Sequence, residues 1–108
     1  MELDHEISDL IAADITQKIV RSQCDGTDRI VAIFRCDLEA GQDKFVLNVP
    51  IHPPMENVPE VEAVIIHGSG RTRITDRKKF GVRIELSAPA NSTESQLYLE
   101  TIISTELL

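Results

Sequence analysis

The chain has no tryptophan, one tyrosine (Tyr98) and three phenylalanines (Phe34, Phe45, Phe80) in 108 residues. Its core must therefore be aliphatic, and it offers almost no flat rings on which nucleobases could stack. Cysteine is as scarce. Cys24 and Cys36 form no Cys-x-x-Cys pair and have no histidine beside them, which removes the redox and zinc-ribbon motifs and predicts two free thiols in a reducing compartment. His5, His52 and His67 are too dispersed for a metal site, so neither metal nor cofactor is expected. There is no Walker or dinucleotide glycine pattern, no Gly-x-Ser-x-Gly elbow and no Cys-His pairing; no motif specifies a reaction, and the sequence does not read as that of an enzyme. The N-terminus is acidic, without the basic and apolar regions of a secretory signal, and no stretch approaches the roughly 18 apolar residues of a membrane span. The cytoplasm is the expected location, with no membrane partner.

Positive charge is sparse too, and that makes its distribution informative. Eleven Lys and Arg face eighteen Asp and Glu, a net charge of −7, which opposes general affinity for nucleic acid or anionic membranes. Yet Arg71, Arg73, Arg77, Lys78, Lys79 and Arg83 crowd into residues 71–83 with Asp76 as the one acid, while the remaining 95 residues carry five cations and seventeen acids. A segment of +5 sits in a background of −12.

What the chain does have is a regular succession of strand-length apolar runs. At 108 residues and 42% hydrophobic content it is one domain, residues 1–108, able to fold alone. Ile7, Leu10, Ile11, Ile15 and Ile19 recur at spacings of three and four, predicting an amphipathic N-terminal helix within residues 1–22; a short strand over residues 15–20 competes, because β-branched residues lose rotamer freedom in a helix. Asp25-Gly26 marks a turn. The unbroken run Ile30-Val-Ala-Ile-Phe34 predicts a central strand covered on both faces. Residues 44–51 and 80–86 alternate with period two, the latter with Phe80, Val82, Ile84 and Leu86 on one side. Residues 61–66 and 71–75 are shorter strands separated by Gly68-Ser-Gly70, read as a hairpin turn, and residues 76–79 form the next turn. Three prolines between Pro53 and Pro59 predict a semi-rigid loop that carries the chain from one sheet to another, with Pro53-Pro54 as a candidate cis step. Residues 96–105 alternate cleanly enough to favour a strand over a terminal helix. The expected fold is mainly β: a small antiparallel β-sandwich over residues 28–105 with an N-terminal helix.

The succession Phe45-Val-Leu-Asn-Val-Pro-Ile51, Pro53-Pro54, Pro59-Glu-Val-Glu-Ala63, the charged hairpin, Phe80-Gly-Val-Arg-Ile84 and Leu97-Tyr-Leu-Glu-Thr-Ile-Ile103 resembles the strand order of H-type lectin domains. The resemblance covers residues 43–105 and implies a six-stranded antiparallel sandwich that binds carbohydrate as an oligomer. This chain departs from that family in lacking the tryptophan common near the last strand.

The basic run is the leading candidate site. Alternation places Arg71 and Arg73 side by side, the turn adds Arg77, Lys78 and Lys79, and Arg83 follows; guanidinium groups suit bidentate contacts to carboxylate or phosphate. The competing reading is a solvated hairpin whose charges keep an edge from pairing. The functional expectation is a non-catalytic protein-interaction or self-assembly module whose basic hairpin docks on an acidic protein surface, that of a partner or of a second copy. Carbohydrate binding, and small-anion or nucleotide binding by the same hairpin, are the alternatives, with nucleic acid disfavoured. Glu60 and Glu62 share a strand face, read as an exposed polar face flanked by Val61, Ala63 and Ile65 rather than as a carboxylate dyad. Asn91-Ser-Thr93 matches a glycosylation sequon, read as coincidental in a chain without a signal.

Overall fold

The computed structural model describes residues 16–39, 41–89 and 96–107. Seven strands follow one another: β1 (Gln17–Cys24), β2 (Thr27–Asp37), β3 (Lys44–Pro50), β4 (Glu60–His67), β5 (Arg71–Lys78), β6 (Gly81–Ser87) and β7 (Gln96–Glu106). They form two sheets in the orders β1-β2-β7-β4 and β3-β6-β5, with every pairing antiparallel. The two inner faces meet over one aliphatic core. Ile30, Ala32, Phe34, Leu97, Leu99 and Ile103 come from one side, and Val49, Val82, Ile84 and Leu86 from the other.

The N-terminal helix is corrected over its described part. Residues 17–24 are strand β1, which favours the competing strand reading, while residues 5–15 lie outside the described residues. Asp25 and Gly26 have φ of 53° and 76°, the paired left-handed geometry of a tight two-residue hairpin turn, and this locks Cys24 opposite Thr27 and sets the register of eight successive pairs. The run from Ile30 to Phe34 is covered on both faces as its composition requires: Ile30, Ala32 and Phe34 enter the main core, and Ile33 joins Tyr98 and Ile66 in a second cluster on the opposite face. β7 is a strand, paired on both sides.

Both cysteines are free, Cys24 exposed and Cys36 buried. They sit at opposite ends of the β1-β2 hairpin, about 30 Å apart at the rise of a strand, too far for a disulfide. Burial, with Asp37 alongside, pushes the Cys36 thiol up to about 11, so it stays protonated and unreactive.

The proline-rich connection does carry the chain between sheets, from β3 to β4. The cis bond is His52-Pro53 rather than Pro53-Pro54. The loop is tied down by its backbone: Ile51 N–H donates to Phe80 O at 2.9 Å and Met55 N–H to Lys79 O at 2.8 Å, and Met55 is 2% exposed. Gly68-Ser-Gly70 is not a hairpin turn. β4 pairs with β7 and β5 with β6, so these residues turn the corner from one sheet to the other.

Among the described residues three polar side chains are buried: Asp28, Thr101 and Thr105. Thr101 is fully buried and its Oγ1 has no hydrogen-bond partner, a desolvation cost with nothing to offset it. Thr101→Val is expected to raise the unfolding free energy by about 1 kcal/mol, measured as a higher denaturant midpoint at unchanged m-value; a destabilised variant would mean that the hydroxyl is satisfied.

Candidate functional site

Register determines where the basic run goes. Across β3-β6-β5 the residues on the solvent side line up in rows: Lys44, Ser87 and Arg71; Val46, Glu85 and Arg73; Asn48, Arg83 and Asp76; Pro50, Gly81 and Lys78. Of the six basic residues singled out in the sequence, Arg71, Arg73, Lys78 and Arg83 therefore share the outer face of the three-stranded sheet. Lys44 joins them from β3, so five cations oppose the two carboxylates Glu85 and Asp76 and the face carries a net +3.

Arg77 is diverted. The β5-β6 register shifts between Ile74 and Asp76, and the extra residue, Thr75, inverts the alternation beyond it. Without that bulge Arg71, Arg73 and Arg77 would share one face. With it, Asp76 and Lys78 take the outer face and Arg77 lies opposite the buried Val82. From there its Nη1 donates to Pro59 O at 3.2 Å and meets Glu60 Oε2 at 3.4 Å, clipping β5 to the start of β4. Lys79 is in the turn rather than on the face, and its carbonyl holds Met55. The strand also runs three residues beyond the expected boundary at Thr75, leaving Lys79 and Phe80 as the turn.

The cations on the outer face are weakly engaged. Arg73 approaches Glu85 at 3.8 Å and Lys78 approaches Asp76 at 3.6 Å, exposed pairs worth less than about 1 kcal/mol each. Arg83 Nε donates to Asn48 Oδ1 at 3.2 Å, and Arg71 pairs with no carboxylate among the described residues. Apolar groups lie among these charges. Val46 is 50% exposed and Phe80 is 60% exposed, so Phe80 does not continue the buried row of Val82, Ile84 and Leu86 as its alternation suggests. Its ring instead stands beside an open concavity of about 430 Å³ lined by Asn48, Pro50, Asp76, Lys78 and Arg83, with Lys78 Nζ over the ring at 5.7 Å from its centre. Lys44, Val46, Asn48 and Phe80 were not legible as members of the site, because pairing of β3 with β6 has no local signal.

The remaining candidates stand apart from this face. Glu60 and Glu62 are exposed on β4, and Glu60 borders a second open concavity, about 500 Å³, with Thr27, Asn57, Ser104 and Glu106. His52 is exposed in the proline loop. His67 ends β4 with its ring edge-on to Tyr98, 5.8 Å between centres. Among the described residues no group of three or more His, Cys, Asp or Glu is placed to hold a metal ion, and no helix is long and apolar enough to cross a membrane. His5 and the sequon at residues 91–93 lie outside the described residues. Comparison with protein-family models, with curated proteins and with solved structures finds no match.

Proposed function

We propose that the domain is a non-catalytic interaction module whose three-stranded sheet docks through its outer face on an acidic protein surface. The observation that carries this reading is the gathering of Lys44, Arg71, Arg73, Lys78 and Arg83 on one face with none of them, among the described residues, in an ion pair shorter than 3.6 Å. Desolvated contacts to a partner's carboxylates would replace weak ones to water. Val46 on the edge strand β3 and Phe80 in the β5-β6 turn add exposed apolar contacts at the margins of this face. A polynucleotide fits less well, since a single exposed ring offers no succession of stacking platforms.

The test uses a labelled poly-glutamate peptide as the acidic probe, with anisotropy read at low and high salt. The wild-type chain should bind, and more weakly as salt rises. Reversal of Arg71, Arg73 and Arg83 to glutamate should weaken binding at least about tenfold while leaving the thermal midpoint nearly unchanged, because rim charges act on encounter more than on folding. Equal binding by the reversed variant overturns the assignment.

The exposed Phe80 ring supports a second reading, carbohydrate binding as in the H-type lectin resemblance. A pyranose needs an aromatic face and planar polar groups, here Phe80 with Asn48, Asp76 and Arg83 around one concavity. Lys78 already covers one side of the ring, which places this reading second. A glycan array on which Phe80→Ala and wild type behave alike removes it.

A further inference from the structure

Among the described residues the two sheets have four edge strands, and three of these end in proline or are interrupted by a bulge. β3 has seven residues and ends in Pro50; β4 has a bulge at Ile66 and the exposed carboxylates Glu60 and Glu62; β5 has the bulge at Thr75 and exposed Arg71, Arg73 and Lys78. Prolines, bulges and charges are the devices by which sheets keep their edges to themselves. β1 has no bulge and no proline, and its eight residues pair with β2 in unbroken register; its exposed cation, Lys18, lies near one end of the strand. Seven of the eight are exposed, including Ile19 at 47% and Val20 at 54%.

The phase of the ladder shows which groups are unused. Arg35 N–H donates to Thr16 O at 2.8 Å, and Cys24 and Thr27 close the tight turn, so the even-numbered residues from Thr16 to Cys24 direct their amides at β2. The N–H and C=O groups of Gln17, Ile19, Arg21 and Gln23 point the other way, and among the described residues no strand lies on that side. The Arg21 side chain does not guard the edge, because its guanidinium is drawn inward to Asp28.

We propose that β1 pairs antiparallel with β1 of a second copy about a two-fold axis at Val20, joining two four-stranded sheets into one of eight strands. Residues that face each other across such a ladder must both present outward amides. An axis at Val20 sets Gln17 against Gln23 and Ile19 against Arg21 in each direction and uses the whole strand, giving about eight hydrogen bonds. An axis at Arg21 sets two arginines against each other, and an axis at Ile19 leaves Gln23 unpaired. With the axis at Val20, the cross-strand row Val20, Val31, Ile102 meets its copy end to end and forms a continuous apolar stripe. The interface is isologous and closed, so assembly stops at a dimer.

The full chain is tested by light scattering after size exclusion. A dimer of twice 12.0 kDa is expected, populated with rising concentration and insensitive to salt, whereas association through the basic face would dissolve in salt; the two readings therefore fail separately. Ile19→Pro removes an outward N–H that β2 does not use and should give a monomer with unchanged circular dichroism. In a Cys24→Ser background, Val20→Cys should form an intermolecular disulfide on mild oxidation, since non-hydrogen-bonded partners stand about 4.5 Å apart at Cα. Ser22→Cys in the same background, offset from its own copy, should not. A wild-type chain that is monomeric up to its solubility limit, a dimer that survives Ile19→Pro, or cross-linking at residue 22 in place of residue 20 overturns the proposal.

Discussion

Arg21→Ala is expected to lower the unfolding free energy by about 2–3 kcal/mol, with a fall in Tm of about 10–15 °C. Arg21 sits on an edge strand whose other residues are exposed, so its position alone suggests little consequence. Its partner explains the expectation. Asp28 is 2% exposed, and the guanidinium grips it as a fork, Nε to Oδ1 at 2.9 Å and Nη2 to Oδ2 at 2.6 Å, while Nη1 donates to Pro53 O. One side chain therefore joins β1, β2 and the loop that carries the chain to the other sheet. Removing it leaves a carboxylate shut off from water with Gln23 as its remaining side-chain partner. Losing one member of a fully interior pair costs about 3–5 kcal/mol; this pair lies just beneath the surface, with Arg21 itself 20% exposed, and the higher effective dielectric there brings the cost down. Arg21→Lys, which keeps the charge and loses the fork, should recover part of the loss.

The same pair fixes the sign of the pH dependence. Hydrogen bonds from Arg21 hold the Asp28 carboxyl below its ordinary 3.8, against burial, which acts the other way. The folded state then binds the proton less readily than the unfolded chain. The pair's contribution is complete above the unfolded value and is lost as pH falls through the lower folded value. In Arg21→Ala burial is opposed by the Gln23 hydrogen bond, the smallest of the influences on this group, and so raises the Asp28 carboxyl; acidification relieves the variant while it harms the wild type. Denaturant curves at neutral pH and near pH 3 should show the gap between the two closing. A gap of equal size at both would mean that Arg21 acts through packing alone.

Much of this architecture is written locally. The Asp25-Gly26 turn, the doubly covered run from Ile30 to Phe34, the sheet-crossing proline loop and the alternation of β6 and β7 each follow from residue types within a few positions of one another. Non-local features are another matter. Whether Gly68-Ser-Gly70 closes a hairpin or turns a corner depends on which strands β4 and β5 find as partners, and glycine spacing is silent on that. The bulge at Thr75 depends on a register set across to β6, so nothing within residues 71–83 reveals that Arg77 leaves its neighbours to clip Pro59 and Glu60. β1 shows the competition in its sharpest form. Ile15 and Ile19 belong to a helical stripe in the sequence, yet a two-residue turn followed by a strongly apolar strand supplies eight pairings that a solitary helix end cannot match.

Gly70→Ala is expected to cost about 3 kcal/mol and to disturb the basic face as well. A Cβ at residue 70 would stand 2.5 Å from Ser87 O and 3.0 Å from Ile65 Cδ1. The isoleucine tip can move, but the carbonyl ends β6, where Ser87 is paired with both Lys44 and Arg71, so relief requires β5 to slide away from β6. Arg71 and Arg73 would move with it, and affinity for the acidic probe should fall along with stability. Gly26 offers the contrast. Its φ of +76° disfavours a side chain, but a Cβ there meets nothing within 4 Å, so Gly26→Ala carries the left-handed strain alone, about 1 kcal/mol. Two glycines that look alike in the sequence thus differ in kind, one needed for its dihedral angle and the other for its lack of volume. Chemical denaturation of both variants separates the two causes, and a Gly70→Ala chain as stable as Gly26→Ala would show that the corner between the sheets is looser than a 2.5 Å approach to backbone allows.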